Sequence, residues 1–166
     1  MTEAGSNCDL PTGWRHIATV PVGGLTEIGF GPGEGYLLVV SWAGRGLIDT
    51  NTGERVARDR QEPTSVSTWI DEVARTVEAI GPLSGTVVHC VGLWGGTLPE
   101  RADDWRLESE ASGSREYFFL IEEHTGRSWR LTWTVTEVRA YGFSNSGRIM
   151  VIATSSDVGL YGRTTR

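Results

Sequence analysis

The chain has 166 residues, a formal net charge of −6 and 39% hydrophobic residues, among them seven Trp. That length supports one domain, or two very small ones, and buries roughly 68–70% of the unfolded surface without disulfide or metal staples. All 15 basic residues are Arg, which excludes Schiff-base and phosphate-loop lysine chemistry, and an acidic surface without a basic stripe disfavours nucleic acid as a partner.

Residues 1–13 are polar and read as a flexible lead-in to a single β-rich domain over 14–166. The first ten residues have neither a basic start nor an apolar stretch, and no apolar run approaches the ~20 residues of a membrane span. A cytoplasmic address without membrane contact is the expectation. Residues 16–22 are a short β-type run ended by Pro21 and Gly23-Gly24. Residues 26–30 alternate weakly, 31–35 are a glycine-rich turn, and 36–41 form a continuous apolar run. Such a run is what a strand shows when both its faces are buried. Gly44 and Gly46 allow a second turn before Leu47-Ile48-Asp49, and Asn51-Thr52-Gly53-Glu54 turns the chain into another short strand.

Residues 59–66 form a charged loop around Pro63. The stretch 67–80 is the one helical candidate, because Ile70, Val73, Val77 and Ile80 recur at three- and four-residue steps. Thr68 and Asp71 offer a cap, and Gly81-Pro82 a stop. Residues 75–80 also alternate as a short strand would. After residues 86–91, again β-type, a turn-rich segment 92–99 and an acidic connector lead into a strand from Trp105. A hairpin follows, with Tyr117, Phe119 and Ile121 on one face of its first strand. Trp129, Leu131, Trp133 and Val135 share a face of its second, around a turn at His124-Thr125-Gly126.

Residues 25–49 recur as 138–162 at an offset of 113 without a gap, so that Gly29-Phe30 falls on Gly142-Phe143. A weaker echo at an offset of 73 relates Leu47-Ile48-Asp49 with Thr52-Gly53 to Leu120-Ile121-Glu122 with Thr125-Gly126, leaving a step of 40. About 40 residues is the length of a four-stranded propeller blade. Gly29-Phe30-Gly31-Pro32-Gly33, the run that follows and Leu47-Ile48-Asp49 resemble the inner strand, turn and closing strand of a WD40-type blade. Phe143-Ser144-Asn145-Ser146-Gly147 repeats that turn. The Gly-His dipeptide of the family is absent, and Ile48 and Tyr161 stand where its Trp would be, with Gly162 in place of its Asp. The resemblance implies a mainly β fold of blade-like antiparallel sheets, either a very small or incomplete propeller-like arrangement or a two-sheet sandwich, with Phe30 and Phe143 in the core.

Chemistry is sparse. Gly29, Gly31, Gly33 and Gly35 precede a β-run, not the helix a phosphate-binding loop needs. His16, His89 and His124 lack ligand spacing, and His89 and Cys90 point to opposite faces of a strand. Cys8 and Cys90 are unlikely partners by position, so neither catalytic residue, metal nor cofactor is assigned. Trp94, Gly95 and Gly96, with Glu100, Asp103, Asp104 and Trp105, combine aromatic anchors with an acidic rim, the ingredients of a protein-binding hot spot. The expectation is a non-enzymatic acidic binding domain for a protein partner, such as an immunity or antitoxin-type inhibitor of a basic toxin domain. The alternatives are a small-ligand or hydrolytic β-domain with a site built from distant residues, and a self-associating structural subunit.

Overall fold

The computed structural model describes residues 9–131 and 137–164. The fold is mainly β. In chain order the strands are β1 (Trp14–Pro21), β2 (Leu25–Phe30), β3 (Tyr36–Ser41), β4 (Gly44–Asp49), β5 (Arg55–Asp59), β6 (Ile70–Asp71), β7 (Thr76–Glu78) and β8 (Val87–His89). They continue as β9 (Val91–Gly92), β10 (Arg101–Ala102), β11 (Trp105–Ser112), β12 (Arg115–Glu122), β13 (Ser128–Arg130), β14 (Val138–Phe143), β15 (Ile149–Thr154) and β16 (Asp157–Arg163).

These strands make four blade-like antiparallel sheets. A leading sheet runs β5-β4-β3-β2-β9, a short sheet β6-β7-β8, a hairpin sheet β10-β11-β12-β13 and a closing sheet β1-β16-β15-β14. The closing sheet takes its outer strand from the start of the chain: β1 lies beside β16 as β5 lies beside β4.

The internal repeat is one backbone used twice. β2, β3 and β4 begin at 25, 36 and 44, and β14, β15 and β16 begin at 138, 149 and 157. Both copies break register at the same place, between Leu25 and Glu27 and between Val138 and Ala140. The bond from the Gly31 N–H to the Tyr36 carbonyl is repeated from Ser144 to Ile149. Even the left-handed residue before each copy is kept, as Gly24 (φ 68°) and Glu137 (φ 54°). The weaker echo is a shared turn. Glu54 and Arg127 each offer a carbonyl to the first turn residue, Asp49 or Glu122, and Gly53 and Gly126 each donate back to it.

The apolar runs are continuous because the two repeat sheets are covered on both sides. Leu37 and Val39 of β3 enter a core shared with Val151 and Ala153 of β15, while Leu38 and Val40 face Val77 and Val88 of the short sheet. On β15, Met150 and Ile152 turn to Leu107, Phe118 and Leu120 of the hairpin sheet. The stacking order is therefore hairpin, closing, leading, short. Equivalent residues do not face one another: Leu37 looks towards the closing sheet, but Met150, 113 positions on, looks away from the leading one. The copies are stacked in one sense, as blades are, and not related by a twofold across their contact. Among the described residues no apolar cluster joins the hairpin and short sheets, so the stack stays open.

Two expectations are corrected. Residues 67–80 hold no helix; they fold as β6, a turn and β7. Val73, which the helical stripe required inside, is 97% exposed in that turn, and Val77 and Ala79 are buried in alternation around exposed Glu78. The Asp71 carboxylate accepts the Ala74 N–H and so closes the turn where a helix was expected to start. Phe143 is fully buried, but Phe30 is only half-buried against the core. In the hairpin, Phe118 and Leu120 are the inward residues; Tyr117, Phe119 and Ile121 lie on the outer face, directly opposite Glu110, Glu108 and Arg106. Trp129 pairs with Leu120 and, with Leu131, belongs to the inner core; Trp133 and Val135 lie outside the described residues.

Candidate functional site

The β3–β4 turn, the 63–72 segment and the short sheet enclose a cleft of about 840 Å³. Trp42, Trp69 and Trp94 line it, with Thr26, Thr76, Val87 and the hydroxyl-bearing stretch Thr64 to Thr68. Its charged lining residues are Asp71, Glu72 and Glu78, all carboxylates.

The sequence places each ring for a local reason. Trp42 sits at the tip of the tight β3–β4 turn, where its N–H donates to the Gly24 carbonyl at 3.1 Å. A Cβ on Gly24 would come within 3.1 Å of the Trp42 ring, so the glycine lets the indole lie over the backbone. The ring is 64% exposed. Trp69 is buried and carries the Arg45 guanidinium 4.2 Å above its centroid. That guanidinium donates to Asp59 Oδ2 at 2.5 Å through Nη2 and at 3.1 Å through Nε, and to the Glu78 carbonyl at 2.6 Å. Asp59's carboxyl is held below its ordinary range by Arg45, against the opposing effect of its own burial. A fully engaged arginine thus fixes the back wall and leaves the cleft's negative charges uncompensated.

Trp94 is half-buried on a loop that turns back tightly, Gly92 and Gly95 exchanging backbone hydrogen bonds at 3.2 and 3.0 Å. Gly95 and Gly96 take φ of 102° and 84°, a region that side chains other than glycine's rarely enter.

The residues expected to form one binding face are divided between two places. Trp94, Gly95 and Gly96 belong to this cleft and its rim, while Asp103, Asp104 and Trp105 line a second depression of about 620 Å³ with Arg148 and Arg163. Trp105 is 7% exposed and wedged against Trp14 and Trp129, with ring centroids 6.0 and 5.9 Å away. Asp103 is spent on an ion pair with Arg163 at 2.5 Å. Asp104 and Glu100 are exposed and offer backbone carbonyls to Glu123 and Leu107. The second depression is mixed in sign and the first is not.

Of the cleft's tryptophans and carboxylates only Trp94 was assigned to a site from sequence; Trp42, Trp69, Asp71, Glu72 and Glu78 escaped, as did Glu27 behind the loop. Trp42 was legible only as an aromatic beside a turn glycine. Glu27, fully buried behind the Trp94 loop, was hidden in a weakly alternating strand. The thiol of Cys90 is buried and pushed up by that burial and by the charge of Glu27, so it stays protonated, and His89 beside it faces solvent. Among the described residues no three His, Cys, Asp or Glu side chains are grouped to hold a metal ion, and no helix is long and apolar enough to cross a membrane. No protein-family model matches the chain, and no curated protein matches it significantly.

Proposed function

We infer that this chain is a non-enzymatic binding domain whose acidic, tryptophan-lined cleft receives a basic segment of a partner protein. One observation carries the reading. Of the six large apolar residues exposed among the described residues, Trp42 and Val87 line the cleft, and Val66, Val73 and Leu93 adjoin its lining residues in sequence. Apolar surface gathered at one concavity marks an interaction site, and a rim charged only by carboxylates selects a cation. An Arg or Lys side chain laid on Trp42 would gain roughly 0.5–2 kcal/mol from the ring face. The overall charge of −6 would steer such a partner in and keep polyanions out. An inhibitor of immunity or antitoxin type, occupying the site of a cationic toxin, is the specific role this chemistry favours, with the cytoplasm as its place of action.

Titration with hexa-arginine and hexa-glutamate peptides, followed by tryptophan fluorescence, tests the reading. The basic peptide is expected to shift the emission, to bind about tenfold more weakly as salt rises from 50 to 300 mM, and to lose affinity in the W42A and E72Q/E78Q variants. No response to the basic peptide, or an equal response to the acidic one, overturns it.

A further inference from the structure

β2 carries a carboxylate whose chemistry the cleft alone does not use. Glu27 lies beside the β2 bulge with no exposed surface. Its Oε1 accepts the Trp94 N–H at 3.0 Å. The Leu93 N–H, which donates to the Thr26 carbonyl at 3.1 Å, also lends the carboxylate support. Oε2 is buried without a hydrogen-bond partner. Gly92 closes over it: a Cβ there would stand 2.7 Å from Oε2 and 2.1 Å from the Thr26 carbonyl, so only glycine lets the loop start so close.

We propose that the Glu27 carboxyl is a latch on the loop carrying Trp94, and that loss of its proton releases it. The part of this proposal that concerns partner binding rests on the cleft reading above; the latch itself does not.

The ionised carboxylate accepts the Trp94 N–H in a charge-assisted bond, roughly twice as strong as a neutral one. That gain is outweighed at Oε2, where ionisation leaves charge buried beneath Gly92 with no donor, and only an opened loop lets water reach it. The surroundings set the balance. Burial is the largest influence and raises the carboxyl to about 7, against the lowering effects of the Trp94 and Leu93 amides and of Arg139 on β14. Glu72, in the turn after β6, raises it further. Arg139 stays at a remove because its Nε is committed to the Leu25 carbonyl at 2.9 Å. The Cys90 thiol faces the same carboxylate, and the Arg75 guanidinium lies against Gly96 at the far end of the loop. The latch is closed below neutrality and open above it.

The test uses the full chain. Amide exchange of Leu93 and Trp94, corrected for the intrinsic rate, is measured at pH 8 and 6 alongside the ¹³C resonance of the Glu27 carboxyl. The expected result is about tenfold less protection at pH 8, in step with a carboxyl midpoint near 7, and no pH dependence in E27Q. Unchanged protection in the wild type, or a midpoint in the ordinary glutamate range, overturns the latch whether or not E27Q folds. Hexa-arginine affinity is then compared at the two pH values on the H89Q background, since His89 is exposed on the adjoining sheet. A several-fold loss at pH 8 that E27Q abolishes supports coupling to the cleft. Peptide that binds equally at both values overturns that coupling. If the exchange result holds and no peptide binds at either pH, the cleft reading fails and the latch remains.

Discussion

The Glu34 carboxylate holds Ser146: Oε1 accepts its N–H at 2.8 Å, and Oε2 accepts its hydroxyl. Glu34 and Gly147 are equivalent residues of the two repeat copies, so the turn of one copy is tied directly to the turn of the other. Glu34 also sits at φ 62° where its counterpart is glycine, a conformation kept because the side chain is anchored.

Burial alone would raise the Glu34 carboxyl, but the Ser146 and Ser144 contacts and Arg148 together hold it below its usual value. A depressed carboxyl stabilises the fold above the unfolded-state value and loses that contribution as pH falls through the folded one. Wild-type stability is therefore expected to drop more steeply than that of E34Q between pH 5 and 3. E34A should cost about 1 kcal/mol at pH 7. Urea melts at several pH values check both, and parallel pH profiles for wild type and E34Q would refute the tie.

Glu27 works in the opposite sense. Its carboxyl is raised from 4.5 to about 7, so within that window the folded chain binds a proton that the unfolded chain does not. Stability should fall as pH rises from 5 to 7.5, by up to ~3 kcal/mol. The E27Q variant should show little change over the same range, as read by chemical denaturation. A wild type equally stable at pH 5 and 7.5 would contradict the assignment.

The two repeat phenylalanines should part company. Phe143→Ala empties a fully buried site and should cost about 3–5 kcal/mol. Phe30→Ala, at a half-buried site, should cost about 1–2 kcal/mol, nearer the transfer term alone. Equal losses in denaturant melts would show that the copies pack alike after all.

The first strand completes the last sheet. β1 pairs with β16 over most of its length and contributes Trp14 and Val20 to the cores on either side. A chain beginning at residue 22 should expose the β16 edge, bind a hydrophobic dye and self-associate. Adding a peptide of residues 14–21 should reverse both effects. A truncated chain that remains monomeric with unchanged near-UV dichroism would refute this.

Much of the architecture could be read from residues alone because it repeats. The 113-residue offset predicted matching backbones, and the unbroken apolar runs predicted strands covered twice. The stretch 67–80 misled because Ile70, Val77 and Ile80 fit a helical stripe while Val77 and Ala79 also fit an alternating strand, and only tertiary placement exposes Val73. The hairpin's alternation was legible but its inward face was not: Phe118 and Leu120 alternate with Tyr117, Phe119 and Ile121, so both faces are apolar and no pattern says which is inward. The site was half legible. Trp94 and its glycines announced a loop, but Trp105 looked equally available until packing against Trp14 and Trp129 removed it. What sequence could not supply was the meeting of Trp42, Trp69 and Trp94, which come from three segments far apart in the chain.

A pile of like units facing one way has no natural last member, because whatever surface receives one neighbour is offered again at the end. Here one terminus is sealed by the Arg106 ion pairs with Glu108 and Glu123, which discourage another layer. At the opposite terminus, the away-facing residues Thr76, Glu78 and Val87 are part of the cleft wall. On the proposed reading, the place where growth would otherwise continue is the place where a guest is received.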